Sequence, residues 1–205
     1  MEEISYPLNI VFDIGNVICE WNPQKLVNSV FSNAEEQNRA LANIIMHHDW
    51  LLLDKGTITL NDAIFRAVDR SGLHEKKVRE LFKKTPESLL PFPETVALIS
   101  TLEERRFNLF VLSNMHDYAF DYLFSTYSFW DKFSGIVISS SIKAVKPEPE
   151  IFQHLLQHHN LAAKETLFLD DMEVNVKAAE DHGIQTLLIE DPKTIQKTLF
   201  EQLNL

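Results

Sequence analysis

Chemistry-bearing side chains in this sequence gather immediately after short apolar runs. Leu8–Phe12 leads into Asp13-Ile14-Gly15-Asn16, Phe107–Leu112 into Ser113-Asn114, and Thr166–Leu169 into Asp170-Asp171. Lys146-Pro147 lies just beyond the run Gly135–Ser139. Asp, Ser and Asn are common in turns and helix caps for backbone reasons alone, so any one of these positions carries little weight. Taken together they share a chemistry. Carboxylates brought close repel unless a hard cation lies between them, and Mg²⁺ favours one or two carboxylates plus waters and phosphate oxygens. A lysine and a serine hydroxyl facing that cation would grip the remaining phosphate oxygens. A carboxylate can itself attack phosphorus and become an aspartyl phosphate.

The apolar runs supply the scaffold. Leu8–Phe12, Phe107–Leu112, Gly135–Ser139, Thr166–Leu169 and Gln185–Ile189 are short, rich in Val, Ile, Leu and Phe, and not cleanly alternating. That pattern suits parallel strands covered on both faces. Helical patterns lie between the later runs: Phe92–Arg106, Glu148–His159 with Pro147 and Pro149 near its start, Met172–His182 ending at Gly183, and a last helix opened by Asp191-Pro192. From about Pro91 onward strand and helix alternate, which predicts a doubly wound, mostly parallel, Rossmann-like α/β sheet. Ligands in such sheets bind at the carboxyl ends of the strands, where the chemistry-bearing residues fall.

Between Val17 and Pro91 only helical periodicity is found. Its apolar stripes are Leu26, Val27, Val30 and Phe31; Leu41, Ile44 and Ile45; Leu60, Ile64 and Val68; and Val78, Leu81 and Phe82. Thr59 followed by Asp62 resembles a capping box at the head of the third. The expected organisation is therefore a core of residues 1–17 and 91–205 with a helical insert over 18–90.

Length and charge bound the function. A chain of 205 residues suits one domain, or one domain with a large insert. Nineteen Lys and Arg against 30 Asp and Glu leave a formal charge of −11, the wrong sign for a nucleic acid polymer or an anionic membrane surface. A single cysteine, Cys19, excludes an intrachain disulfide and a multi-thiolate metal site. The segment Met1–Pro7 is acidic and lacks the basic and apolar parts of a secretory signal, and no run approaches the length of a membrane helix. A cytoplasmic location is the expectation; the oligomeric state is left open.

The four segments, in order, resemble the motifs of the haloacid dehalogenase-like hydrolase superfamily: IVFDIGNV (Ile10–Val17), VLSN (Val111–Asn114), VKPEPEIF (Val145–Phe152) and FLDDMEVN (Phe168–Asn175). The insert falls where that superfamily carries its type-1 helical cap. Within it, the sequence looks most like the FDxGNV branch of bacterial sugar-phosphate phosphatases and the phosphatase domain of soluble epoxide hydrolase. Lys55-Gly56-Thr57-Ile58-Thr59 adds to the likeness. The resemblance implies a Mg²⁺-dependent phosphomonoesterase acting on a small-molecule phosphate ester, such as a sugar phosphate. It assigns Asp13 as nucleophile and metal ligand, Gly15 as a carbonyl ligand, and Asp171 as second carboxylate ligand with Asp170 beside it. Ser113, Asn114 and the amides of Ile14, Gly15 and Asn16 would bind phosphate. Lys146 would orient the nucleophile and bind the phosphoryl group, and Asn175 would support the Asp170-Asp171 loop.

The sequence departs from most such phosphatases at Gly15, where a second aspartate ordinarily protonates the leaving group and activates water. Glu20, His47, His48 and Asp49 are the candidates for a substitute. Two alternatives stand beside this: a metal-independent 2-haloacid dehalogenase using the same aspartate, which the retained Asp170-Asp171 pair argues against, and a non-hydrolysing phospho-ligand-binding protein, which Gly15 keeps open. His154 and His158, four residues apart with His159 adjacent, read as helix-end cations rather than a zinc site. Cys19 reads as a small buried residue and Phe120–Trp130 as core.

Overall fold

A computed structural model describes residues 8–205; the acidic segment 1–7 lies outside the described residues. The five apolar runs form one parallel sheet of β1 (Asn9–Phe12), β2 (Asn108–Ser113), β3 (Gly135–Ile138), β4 (Thr166–Asp170) and β5 (Gln185–Leu188). The order is β3-β2-β1-β4-β5. The chain therefore builds outward from β1 on one side and then on the other. A crevice opens at the carboxyl end of the sheet where that direction reverses.

Between β1 and β2 the chain folds into α1 (Pro23–Asn28), α2 (Ala34–Ala40, continued by a π-helical turn over Leu41–Ile45), α3 (His48–Asp54), α4 (Leu60–Ser71) and α5 (Glu75–Ser88), ahead of α6 (Pro93–Glu104). The stripes read from sequence meet in one cluster that includes Leu26, Phe31, Ile44, Ile64, Val78 and Leu81, separate from the sheet's own core. The expected capping box is present. Thr59 Oγ1 accepts from the Asp62 amide at 3.1 Å, and the Asp62 carboxylate accepts from the Thr59 amide at 3.1 Å.

The chain enters and leaves these helices through a short ribbon. Glu20 N–H donates to Leu90 O at 2.9 Å and Phe92 N–H to Ile18 O at 2.8 Å, with Cys19 opposite Pro91. The helices also dock at Lys55-Gly56. Lys55 Nζ lies 2.6 and 2.9 Å from the two oxygens of Glu148, and Lys143 Nζ donates to Gly56 O at 2.7 Å. Gly56 has φ +69°, and a Cβ there would strike Lys143 Nζ and Ser140 O, so only glycine suits the position.

The remaining helices are α7 (Asp117–Thr126), the single turn α8 (Ser139–Ile142), α9 (Pro149–His158), α10 (Glu173–Asp181) and α11 (Ile195–Leu203). Strand residues alternate between two covered faces. Phe12, Val111 and Leu169 pack with Leu98 and Ile99 of α6 and Leu199 of α11; Val11, Phe110 and Phe168 pack with Phe152 and Leu155 of α9 and Ala179 of α10. The Asp191 carboxylate accepts from Lys193 N–H at 3.0 Å and begins a 3₁₀ turn rather than α-helix, which starts only at Ile195. The aromatic stretch is split. Phe129 and Trp130 are buried, whereas Phe124 and Tyr122 on α7 face solvent. Among the described residues no helix is long and apolar enough to cross a membrane.

Candidate active site

Register sets the site. Phe12 lies beside both Val111 of β2 and Leu169 of β4, so Asp13, Ser113 and Asp170 leave the sheet within about one residue of the same level. Lys146 arrives from the loop after α8 and is 3% exposed. Three donors converge on one oxygen of Asp13: Ser113 Oγ at 2.6 Å, Lys146 Nζ at 2.9 Å and the Ile14 amide at 2.7 Å. They all meet Oδ1; among the described residues no hydrogen bond reaches Oδ2.

Lys146 Nζ also donates to Asp170 Oδ2 at 2.6 Å. Asp170 is fully buried, and its remaining capacity is taken by the Met172 amide at 2.8 Å and by Asn175 Nδ2 at 3.0 and 3.2 Å. Asp171 is half-buried and accepts from Asn16 Nδ2 at 3.0 Å. One oxygen from each of Asp13, Asp170 and Asp171 lies within 4.8 Å of the others.

Three carboxylates face one ammonium, and proton affinities respond. Burial pushes Asp13 up to about 6; Lys146 opposes this and the Asp170 charge adds to it. Burial also raises Asp171, against its bond from Asn16. Burial alone would lower Lys146, but Asp13 and Asp170 outweigh it and hold the ammonium charged. Surplus negative charge on hard oxygens is what a divalent cation such as Mg²⁺ relieves, so the donor set fits that ion.

Three groups expected to bind phosphate have protein partners in this structure. The Ile14 amide is spent on Asp13 Oδ1, and the Asn16 amide on Cys19 O at 2.7 Å. In this turn Gly15 alone of the three keeps an amide without a protein acceptor among the described residues. The Asn114 side chain does not face outward either. Its Nδ2 donates to Lys146 O at 2.9 Å and its Oδ1 accepts from Lys146 N–H at 2.7 Å.

A cavity of about 230 Å³ opens in front of these groups. Asp13, Ser113, Lys146 and Asp171 form its charged end, while Trp21, Trp50 and Leu89 from the helical insert and the ribbon wall the other. Trp50 stacks between Trp21 and Phe82, with ring centroids 5.8 and 5.5 Å away.

None of the four substitute acids lines the cavity. Glu20 pairs with Lys25 at 2.7 Å, His47 accepts from the Asp49 amide at 3.1 Å as the N-cap of α3, and His48 is exposed. Asp49 is drawn to Arg70 at 2.8 Å and Arg66 at 3.4 Å. In their place stands a pair sequence reasoning missed. His116 Nδ1 lies 2.9 Å from Asp54 Oδ1, and both residues line the cavity. The only hint in sequence is that His116 follows Ser113 by three residues. His154 and His158 stack at 5.0 Å on α9, apart from the one acidic cluster found among the described residues.

Three carboxylates, a serine and a lysine thus meet at the carboxyl ends of a doubly wound sheet. A family model for haloacid dehalogenase-like hydrolases matches residues 25–189, and the chain belongs to that family. The sesquiterpene phosphatase astK of Aspergillus oryzae is 28% identical over 181 residues, which span 88% of this chain and 89% of that protein. The bifunctional epoxide hydrolase 2 of Rattus norvegicus is 33% identical over 67 residues, 33% of this chain but only 12% of that protein. Among solved structures, the HAD family enzyme BT-2542 of Bacteroides thetaiotaomicron, in complex with magnesium and inorganic phosphate, superposes with a TM-score of 0.69 at 24% identity, covering 88% of this chain and 92% of that one. It shares the fold.

Proposed function

We propose that this hydrolase is a Mg²⁺-dependent phosphomonoesterase working through an aspartyl phosphate on Asp13. The observation that carries the reading is the asymmetric Asp13 carboxylate, with three donors on Oδ1 and none on Oδ2. Fixing one oxygen in this way orients the other for in-line attack. Asp13, Asp171 and the Gly15 carbonyl would hold Mg²⁺, with Asp170 behind them fixing Lys146. When bound, the ion supplies Lewis-acid stabilisation of charge on the phosphoryl oxygens.

The chain's own groups do the rest. The Gly15 amide and Lys146 Nζ would bind the phosphoryl oxygens, joined by Ser113 Oγ once it turns its proton from Asp13 to the ester, and the lysine offsets charge that grows there. Asp13 displaces the alcohol, and water then cleaves the acyl phosphate. The helices of residues 18–90 act as a cap, with Trp21, Trp50 and Leu89 enclosing the organic part of the ester and excluding water. The substrate class is a small organic phosphate. The phosphatase name of the A. oryzae relative supports the reaction, and the magnesium and phosphate bound by BT-2542 support the ion and the leaving product. The dehalogenase reading is weaker, because paired carboxylates beside an anionic substrate would repel it without a cation.

The test is hydrolysis of a panel of phosphate esters with and without Mg²⁺, alongside Asp13→Asn. Mg²⁺-dependent release of inorganic phosphate that the variant loses is the expected result. Equal hydrolysis by both proteins would remove the mechanism.

A further inference from the structure

Gly15 leaves the turn after Asp13 with no proton donor, and nothing steric requires this: a Cβ there would meet only Trp21 Cβ, at an ordinary 3.8 Å. We infer that His116, backed by Asp54, is the acid–base group of this enzyme, its Nε2 protonating the leaving oxygen of the ester and later taking a proton from the hydrolytic water. This rests on the phosphomonoesterase reading above.

Three observations converge on the pair. First, His116 is 4% exposed, and its Nε2 is buried with no hydrogen-bond partner, while its Nδ1 is bound to Asp54 at 2.9 Å. Buried polar atoms are rarely left unpaired, and here the ring lines the cavity that holds Asp13, Ser113 and Lys146. The leaving oxygen of a bound ester would fill that place.

Second, the pair is built to stay in place. Ser139 Oγ donates to the Asp54 carbonyl and accepts from the Met115 amide at 2.9 Å, tying the end of α3 to the residue before His116. Trp50 meets the imidazole edge-on at 5.9 Å. A carboxylate on Nδ1–H fixes the ring's tautomer and orientation, leaving Nε2 to exchange protons. Burial raises the proton affinity of Asp54, while its bond from His116 opposes that rise.

Third, the other ionisable groups nearby are committed elsewhere. Asp13, Asp171 and Lys146 occupy the phosphate end, and Asp117, next to His116 in sequence, accepts from Ser140 Oγ.

The balance is simple. As Asp13 forms its bond to phosphorus, the ester P–O bond breaks and its electron pair stays on the leaving oxygen. The Nε2 proton of the imidazolium passes to that oxygen, releasing the alcohol and a neutral ring. The ring then takes a proton from water as the water oxygen attacks phosphorus, and the P–O bond to Asp13 breaks. Inorganic phosphate, the carboxylate and the imidazolium are restored.

The experiment compares kcat/KM for an alkyl phosphate and for p-nitrophenyl phosphate, whose leaving group departs without a proton. This parameter covers steps only through phosphorylation of Asp13, so the later role as base does not enter. His116→Gln should lose about 10²–10⁴-fold on the alkyl ester and under about tenfold on the aryl ester, whose turnover also reports a folded protein. Asp54→Asn, at a positioning residue, should show the same leaving-group dependence with a smaller loss, and it carries the test if His116→Gln does not fold. Equal losses on both esters, or no loss on the alkyl ester, overturn the inference while leaving Asp13 chemistry intact. Failure of the wild type to hydrolyse either ester removes the phosphomonoesterase reading and this one with it.

Discussion

The Asn114 side chain holds the backbone of Lys146 from both sides, donating to its carbonyl at 2.9 Å and accepting from its amide at 2.7 Å. An amide at the end of β2 thereby fixes the lysine whose Nζ meets Asp13 and Asp170. Asn114→Ala removes both bonds and leaves two backbone groups to find water or go unpaired. The expected cost is about 1–3 kcal/mol in urea unfolding. A fall in kcat larger than any rise in KM would mark a displaced lysine; unchanged kcat would argue against the clamp.

Lys146→Met tests the ion pair itself. Lys146 Nζ is the cation lying between Asp13 and the fully buried Asp170, so the substitution strands a buried carboxylate. Losing one partner of a buried pair costs about 3–5 kcal/mol. Neutralising the other end as well, in Lys146→Met with Asp170→Asn, should recover part of that loss. A double variant no more stable than the single one would contradict the assignment.

Metal removal addresses the acidic cluster. Chelation should abolish phosphate release, and Mg²⁺ alone should restore it. Asp171→Asn takes away one charge from the three-carboxylate group and is expected to weaken Mg²⁺ by more than the roughly 10–100-fold that loss of an outer-shell partner costs. Titrating activity against Mg²⁺ reads this directly. An unchanged half-saturation point would place the ion elsewhere.

The Asp49 cluster predicts an acid-side loss of stability. Burial would raise Asp49, but Arg70 and, less strongly, His47 and Arg66 outweigh it and hold the carboxyl below its usual value of 3.8. A depressed folded value means the stabilisation is present above the unfolded value and disappears as pH falls through the folded one. Chemical unfolding of wild type and Asp49→Asn between pH 7 and pH 2 should therefore show a gap at neutrality that narrows below about pH 4. A gap independent of pH would mean that packing, not charge, holds α3 to α4.

The sheet was legible in the sequence because buried parallel strands advertise themselves: five apolar runs predicted five strands, with ends differing by a residue or so. The helical insert was legible for a similar reason, since Leu26, Ile44, Ile64 and Val78 mark one face of four of its five helices, α3 being the exception. Helix α7 was not. Only Ala119 and Leu123 are buried along it, while Tyr118, Tyr122 and Phe124 lie exposed and erase the helical period. The residues at the strand ends could be placed because topology dictates where strand ends go. Hydrogen-bond partners could not: nothing in the sequence ties the Asn114 side chain to the Lys146 backbone. The Asp54–His116 pair joins residues 62 positions apart on elements that meet only in the folded chain, and no local spacing announces it.

The ribbon through which the chain passes into its inserted helices has a practical corollary. Cys19, the sole thiol, sits in it with no exposed surface, and burial together with the Asp13 carboxylate pushes that thiol up to about 12. A sulfhydryl that is both shielded and protonated ignores alkylating agents until the chain around it parts. Labelling kinetics at this one sulfur thus amount to a built-in stopwatch for how often the two crossings separate.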